Sequence, residues 1–211
     1  MLRRTFLTLA LALSISLPAM AAEKANGARD LIEGMAQQAI TVLGAKDRTD
    51  ADIKAKFHDL LVGGFDVPTI GRFVLGRAWR DATPAQQTEY LSLFENYVVG
   101  IYANRFKEYS GETLEITGQK DVDDATVVSS RINRPNGAPA VAVDWKIKQG
   151  EDGIWRVQDV IIEQVSMSIS QRSEFASVIQ NGGGKLEALL AQLRARTNSS
   201  ASSTASKAKA G

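Results

Sequence analysis

Side chains able to carry catalysis are scarce in this chain. His58 is the single histidine and cysteine is absent, so an ordinary zinc site cannot be assembled. A hydrolase or transferase needs a nucleophile beside a base, a metal cluster or a pair of carboxylates, and no such group can be placed together. His58 stands among Lys56 and Asp59 and reads as a solvated helix residue. Gly182-Gly183-Gly184 lacks the Lys-Ser/Thr order of a phosphate-binding loop and reads as a helix-helix turn. Asp121, Asp123 and Asp124 read as a polar hairpin turn rather than a cation site. Tyr97, Tyr102, Asp144 and Asp159 supply the residue types of a tyrosine-carboxylate pair, which an isomerase-like enzyme with a cone-shaped pocket would use. No catalytic residue, metal or cofactor is expected.

The elements that must position these side chains are legible from periodicity. From Ala28 to Leu43 the apolar residues recur at three and four, one face of a helix. Thr49, with Asp52 three positions on, caps a second helix that runs through Leu61 and ends at Gly63-Gly64. Thr83-Pro84-Ala85-Gln86 joins a capping Thr, a Pro at the first helical position and a Gln three after the cap, so a long helix starts there. Its apolar face is aromatic, with Tyr90, Phe94, Tyr97, Tyr102, Phe106 and Tyr109. After Gly111 the period falls to two. Val141, Val143, Trp145 and Ile147 alternate with Ala142, Asp144, Lys146 and Lys148, a strand with one buried and one wet face. Leu114 to Gly118, Ala125 to Ile132 and a stretch from Trp155 supply three more strands. Val157 and Val160 differ in parity, which requires a bulge near Gln158-Asp159. Short links predict a four-stranded antiparallel meander. Helical spacing returns over Ser170 to Ile179 and Lys185 to Leu193, so the class is α+β.

The N-terminus reads as an export signal over residues 1–21. Arg3-Arg4 precedes an apolar run from Thr5 to Leu17, and Ala19-Met20-Ala21 offers the small residues of a cleavage site. The run is shorter than the roughly 20 residues a membrane-spanning helix needs. A folded domain is expected over residues 22–196 and a disordered tail over 197–211, whose Ser, Ala, Thr and Lys cannot form a core. The chain sums to +1, and two of its cations, Arg3 and Arg4, fall in the leader. That balance gives no basic excess for nucleic acid. Export through the Sec or twin-arginine route to the periplasm of a diderm bacterium is expected.

Two runs stand out from this background. Phe65-Asp66-Val67-Pro68-Thr69-Ile70-Gly71-Arg72-Phe73-Val74-Leu75-Gly76-Arg77-Ala78-Trp79-Arg80 sets three arginines among seven bulky apolar residues, directly before Asp81-Ala82-Thr83-Pro84. Further on come Trp155-Arg156-Val157-Gln158-Asp159-Val160, then Glu163, Val165-Ser166, Gln171-Arg172 and Phe175. Both resemble the MlaC family, also called toluene-tolerance or Ttg-type auxiliary components of ABC transporters. The resemblance implies a periplasmic carrier of phospholipid between an outer-membrane lipoprotein complex and an inner-membrane ABC transporter, maintaining outer-membrane lipid asymmetry; a shuttle of this kind works most simply as a monomer. A hopanoid-type lipid is the cargo alternative, and an assembly factor with a filled core is the non-carrier alternative.

A carrier of this kind needs an apolar cavity between helices and a curved sheet. Two acyl chains of about 30 methylenes would cost over 20 kcal/mol in water at about 0.8 kcal/mol each, so a soluble carrier must hide them. The wall residues that the resemblance suggests are Phe65, Val67, Ile70, Phe73, Val74 and Leu75. Tyr97, Ile101, Val143, Trp145, Val165, Met167 and Ile169 would complete the wall. Arg72, Arg77 and Arg80 are candidates for a phosphate at the mouth or for pairing with Asp66 and Asp81, and Trp79 reads as a packing anchor.

Overall fold

The structure is a computed structural model that describes residues 19–45, 47 and 49–208. The expected signal peptide therefore lies almost wholly outside the described residues. The helices before the sheet are α1 (Ala19–Leu43), α2 (Asp50–Gly64), α3 (Val67–Leu75), α4 (Arg77–Asp81) and α5 (Pro84–Phe106). The strands are β1 (Thr113–Val122), β2 (Ala125–Asn133), β3 (Val141–Gln149), β4 (Trp155–Ile162) and β5 (Val165–Ser166). Two helices, α6 (Met167–Asn181) and α7 (Leu186–Ala208), close the order, so the protein is α+β.

Capping chemistry sets where the helices begin. At Thr49 and Thr83 the hydroxyl accepts the amide N–H three residues on, while Asp52 or Gln86 accepts the cap's own N–H, which closes both capping boxes. α3 starts on Asp66, whose carboxylate accepts the Thr69 amide at 3.1 Å. It ends at Gly76, where φ is 60° and an added Cβ would lie 3.0 Å from Arg172 Nε, so backbone and neighbour both favour glycine. The α6–α7 turn is glycine-built as expected: Gly183 and Gly184 have φ of 75°, and a Cβ on Gly182 would collide with Ala188. Beyond it, the backbone of α7 stays helical through residues 197–208, where composition predicts no order. Helix propagation adds one bond per residue once a turn exists, and Leu189, Leu190 and Leu193 already anchor α7.

The strands lie in sequence order with antiparallel neighbours throughout. The sheet has five strands rather than the expected four, because Val165 and Ser166 fold back to pair with Ile162 and Ile161. The bulge expected in β4 is found: Lys146 pairs with Asp159 and Ile147 with Val157, which leaves Gln158 as the extra residue. That extra residue puts Val157 and Val160 on one face.

Two separate cores result. The larger joins α2, α3, α5, α6 and α7 around Tyr90, Phe94 and Phe175, and the smaller joins α1 to β2, β3 and β4 through Ala28, Ile32, Val128, Ile147 and Val157. Phe65 packs against both. It also tethers the helices to the sheet, since it bridges Val157 and the next amide, Asp66 N–H, donates to Val157 O at 3.0 Å.

Candidate functional site

A cavity of about 370 Å³ lies between the two cores. Its size falls among ordinary ligand pockets, roughly 300 to 1,000 Å³. From α1 come Ile32, Met35, Ala36, Ala39, Ile40 and Leu43, a stripe at helical spacing. Phe57, Leu60 and Leu61 of α2 continue the wall, followed by Phe65 and then Val67, Ile70 and Val74 of α3. α5 contributes Phe94, Val98, Tyr102 and Phe106, each four residues after the last. The sheet adds Leu114, Ile132, Val143, Trp145, Val160 and Ile162, all from one face, and α6 adds Met167.

Polar groups are few and mostly engaged. Among the lining residues there is no lysine or arginine, and the carboxylates are Glu112 and Asp159. The Ser110 amide, donating at 2.8 Å, holds the Glu112 carboxyl below its usual range. Asp159 accepts from the Ser166 hydroxyl, from Ser168 N–H at 3.0 Å and from Val160 N–H at 2.9 Å. The Ser166 hydroxyl in turn caps α6 by accepting from Ile169 N–H at 3.1 Å. Asp159 thus fastens the first turn of α6 to β4 beside the cavity. Asp159→Ala leaves these donors without their acceptor and is expected to lower stability by about 2–3 kcal/mol, checked by urea denaturation.

The indole N–H of Trp145 donates to Ser130 Oγ at 2.9 Å, and that hydroxyl donates to Val143 O at 3.0 Å. Ser130 is buried. Its two bonds fix the ring on the cavity floor.

Of the wall residues proposed from sequence, Phe65, Val67, Ile70, Val74, Val143, Trp145 and Met167 line the cavity. The remaining six do not. Phe73 is 42% exposed under the Arg172 guanidinium, and Leu75 is buried in the larger core. Tyr97 packs on Phe175 with ring centres 5.5 Å apart and donates to Gln171 at 3.3 Å, and burial pushes its phenol up. Ile101 packs against the same core. Val165 and Ile169 are outside, 52% and 57% exposed.

Four of the six, Phe73, Leu75, Tyr97 and Ile101, are off the wall for one reason. One residue turns a helix by about 100°, so Tyr97 and Ile101 leave the stripe that Phe94, Val98, Tyr102 and Phe106 keep. The same step separates Phe73 and Leu75 from Val74. The i, i+4 ladder of α5 is the sequence signal that finds these walls, together with the apolar stripe of α1.

None of the three head-group candidates lines the cavity. Arg72 donates to Pro68 O at 3.3 Å and lies 5.9 Å over the Trp79 ring. Arg77 pairs with Asp81 at 3.9 Å, and Arg80 is exposed. His58 is an exposed link to Glu95 on α5, at 3.1 Å. The pair that an isomerase-like site needs is not formed by the residues suggested for it, since Tyr97 bonds Gln171 and Asp159 is held by serines and amides. No group of acidic or histidine side chains suited to a metal occurs among the described residues. No helix among them is long and apolar enough to cross a membrane.

The chain resembles proteins already characterised. It is 23% identical over 116 residues, 54% of each chain, to the intermembrane phospholipid transport system binding protein MlaC of Haemophilus influenzae. It is 26% identical over 109 residues to the toluene tolerance protein ttg2D of Pseudomonas putida, covering 51% of this chain and 50% of the relative. The chain thus spans about half the length of the curated relatives it matches. The fold matches a phospholipid-binding protein of Ralstonia solanacearum, solved in complex with a phospholipid, with a TM-score of 0.72 and 23% identity over 82% of this chain and 98% of the other. The family model of the MlaC protein matches residues 33–195, which takes in every wall of the cavity except Ile32, and the chain belongs to the MlaC family.

Proposed function

We propose that this protein is a periplasmic carrier that holds phospholipid by its acyl chains and passes it between the outer membrane and an inner-membrane ABC transporter. The observation that carries the reading is the apolar cavity between the cores, walled by aliphatic and aromatic side chains with no cation among them. Moving a lipid tail from bilayer to such a wall exchanges one apolar surface for another, so the transfer needs no catalytic group. With no lysine or arginine among the lining residues, a phosphate finds no counter-charge inside the cavity, and the head group remains in water at the mouth. The relatives named for phospholipid transport and the fold match to a protein holding a phospholipid support the same cargo. The leader of residues 1–21 and the lack of a spanning helix among the described residues support export and release. Its partners are an outer-membrane lipoprotein complex and the transporter, which it meets as a monomer.

Solvent extraction of natively purified protein tests the reading directly. Phospholipid at about one molecule per chain is expected; a hopanoid-type lipid would change the cargo, and repeated recovery of no lipid would refute the carrier. A second measurement uses the floor of the cavity. Of the three tryptophans only Trp145 lines it. With Trp79 and Trp155 replaced by phenylalanine, uptake of phospholipid by delipidated protein is expected to shift the remaining emission to the blue. An unchanged spectrum on uptake would place the lipid elsewhere.

A further inference from the structure

One corner of the cavity is closed by rings rather than by backbone. Phe57 of α2 stacks on Tyr102 of α5 with ring centres 6.1 Å apart and meets Phe106 at 5.2 Å. All three rings are on the cavity wall. Beyond Phe57 and Phe106 lies a second void of about 10 Å³, bounded by Ala39, Val42 and Leu43 of α1 and by Ile53, Lys56 and Leu60 of α2. It is at the lower limit of what one water molecule needs, roughly 10 to 15 Å³, and it offers water no polar partner. Lys56 presents only its stem there, because its ammonium reaches Gln38 Oε1 at 2.9 Å.

The two voids share Ala39, Leu43, Phe57, Leu60 and Phe106, so the partition between them is a layer of side chains. Phe57 and Phe106 are half-buried rather than locked in the core. A half-buried phenylalanine changes rotamer without breaking a helix hydrogen bond, whereas backbone could not yield in this way. Resting on the carrier reading, the geometry points to the second void as an overflow subsite for the terminal carbons of a long acyl chain, with Phe57 and Phe106 as the gate that sets the chain length held. Each methylene seated there raises affinity by a factor of about four.

The test offers delipidated full-length protein vesicles of mixed monounsaturated phosphatidylcholines, from myristoleoyl to erucoyl, and identifies the bound lipid by mass spectrometry. Phe57→Ala and Phe106→Ala each remove a six-carbon ring, and the mean bound chain is expected to lengthen by about four carbons as the vacated space fills. Ala39→Leu fills the void from the other side and is expected to shorten the mean chain by about two carbons. Phe57→Leu, a smaller truncation, moves the mean in the lengthening direction and decides the matter if an alanine variant does not fold. An unshifted chain profile in folded variants that still take up lipid overturns the gate and leaves the carrier reading standing. Failure of the unaltered protein to take up any lipid overturns the carrier reading, and the gate with it.

Discussion

Replacing Ala36 with tryptophan is expected to empty the cavity while leaving the fold in place. Ala36 is half-buried on the α1 stripe, and its methyl faces the cavity rather than a packed neighbour layer. An indole built there occupies space that roughly six methylenes of cargo would take, and at about 0.8 kcal/mol each their exclusion costs about 5 kcal/mol, a few thousandfold in affinity. The substitution adds apolar surface to an apolar void, so it does not incur the penalty of overpacking a filled core. Lipid recovered per chain after native purification, read beside the far-ultraviolet spectrum, checks it. A folded Ala36→Trp protein carrying the usual lipid would show that the cargo lies elsewhere.

The largest loss of stability is expected from Phe175→Ala. Phe175 is 2% exposed, and its ring meets Tyr90, Phe94 and Tyr97 at 6.3, 6.3 and 5.5 Å between centres. It is the fully buried apolar residue of α6 in the larger core, with Val178 and Ile179 packed partly buried beside it. Truncating a buried phenylalanine costs about 3–5 kcal/mol, against a total of roughly 5–15 kcal/mol for a domain. Urea denaturation should show a midpoint displaced by a large part of its value. A change below about 1 kcal/mol would mean that the aromatic cluster collapses around the gap.

Capping residues made α2 and α5 legible, because Thr49-Asp52 and Thr83-Gln86 each satisfy helix-end donors locally and need no distant partner. The bulge at Gln158 was legible for a related reason, since strand parity is a local count. The fifth strand was not legible: two residues carry no periodicity, and β5 exists only because β4 has an unpaired edge beside it.

The cavity divides in the same way. That α1, α3, α5 and β3 present apolar faces follows from spacing, but whether a face meets another face or a void depends on how far apart the elements sit. Val74 lines the cavity while its neighbour Leu75, one helical step round, is ordinary core, and only the assembled fold shows which of the two directions opens onto a void. For the arginines the sequence left a phosphate at the mouth and a structural carboxylate open, and Arg77 takes the second course with Asp81 while Arg72 lies over Trp79.

The gap between the two cores also sets how the molecule answers compression. Unfolding abolishes internal void volume, so high hydrostatic pressure favours the unfolded chain in proportion to the void that was empty. Filling the space between α5 and the sheet with cargo removes that driving force. The loaded protein is therefore expected to withstand pressures that unfold the empty one, a difference visible by fluorescence in a pressure cell. On the carrier reading, mechanical softness belongs to the empty half of the cycle.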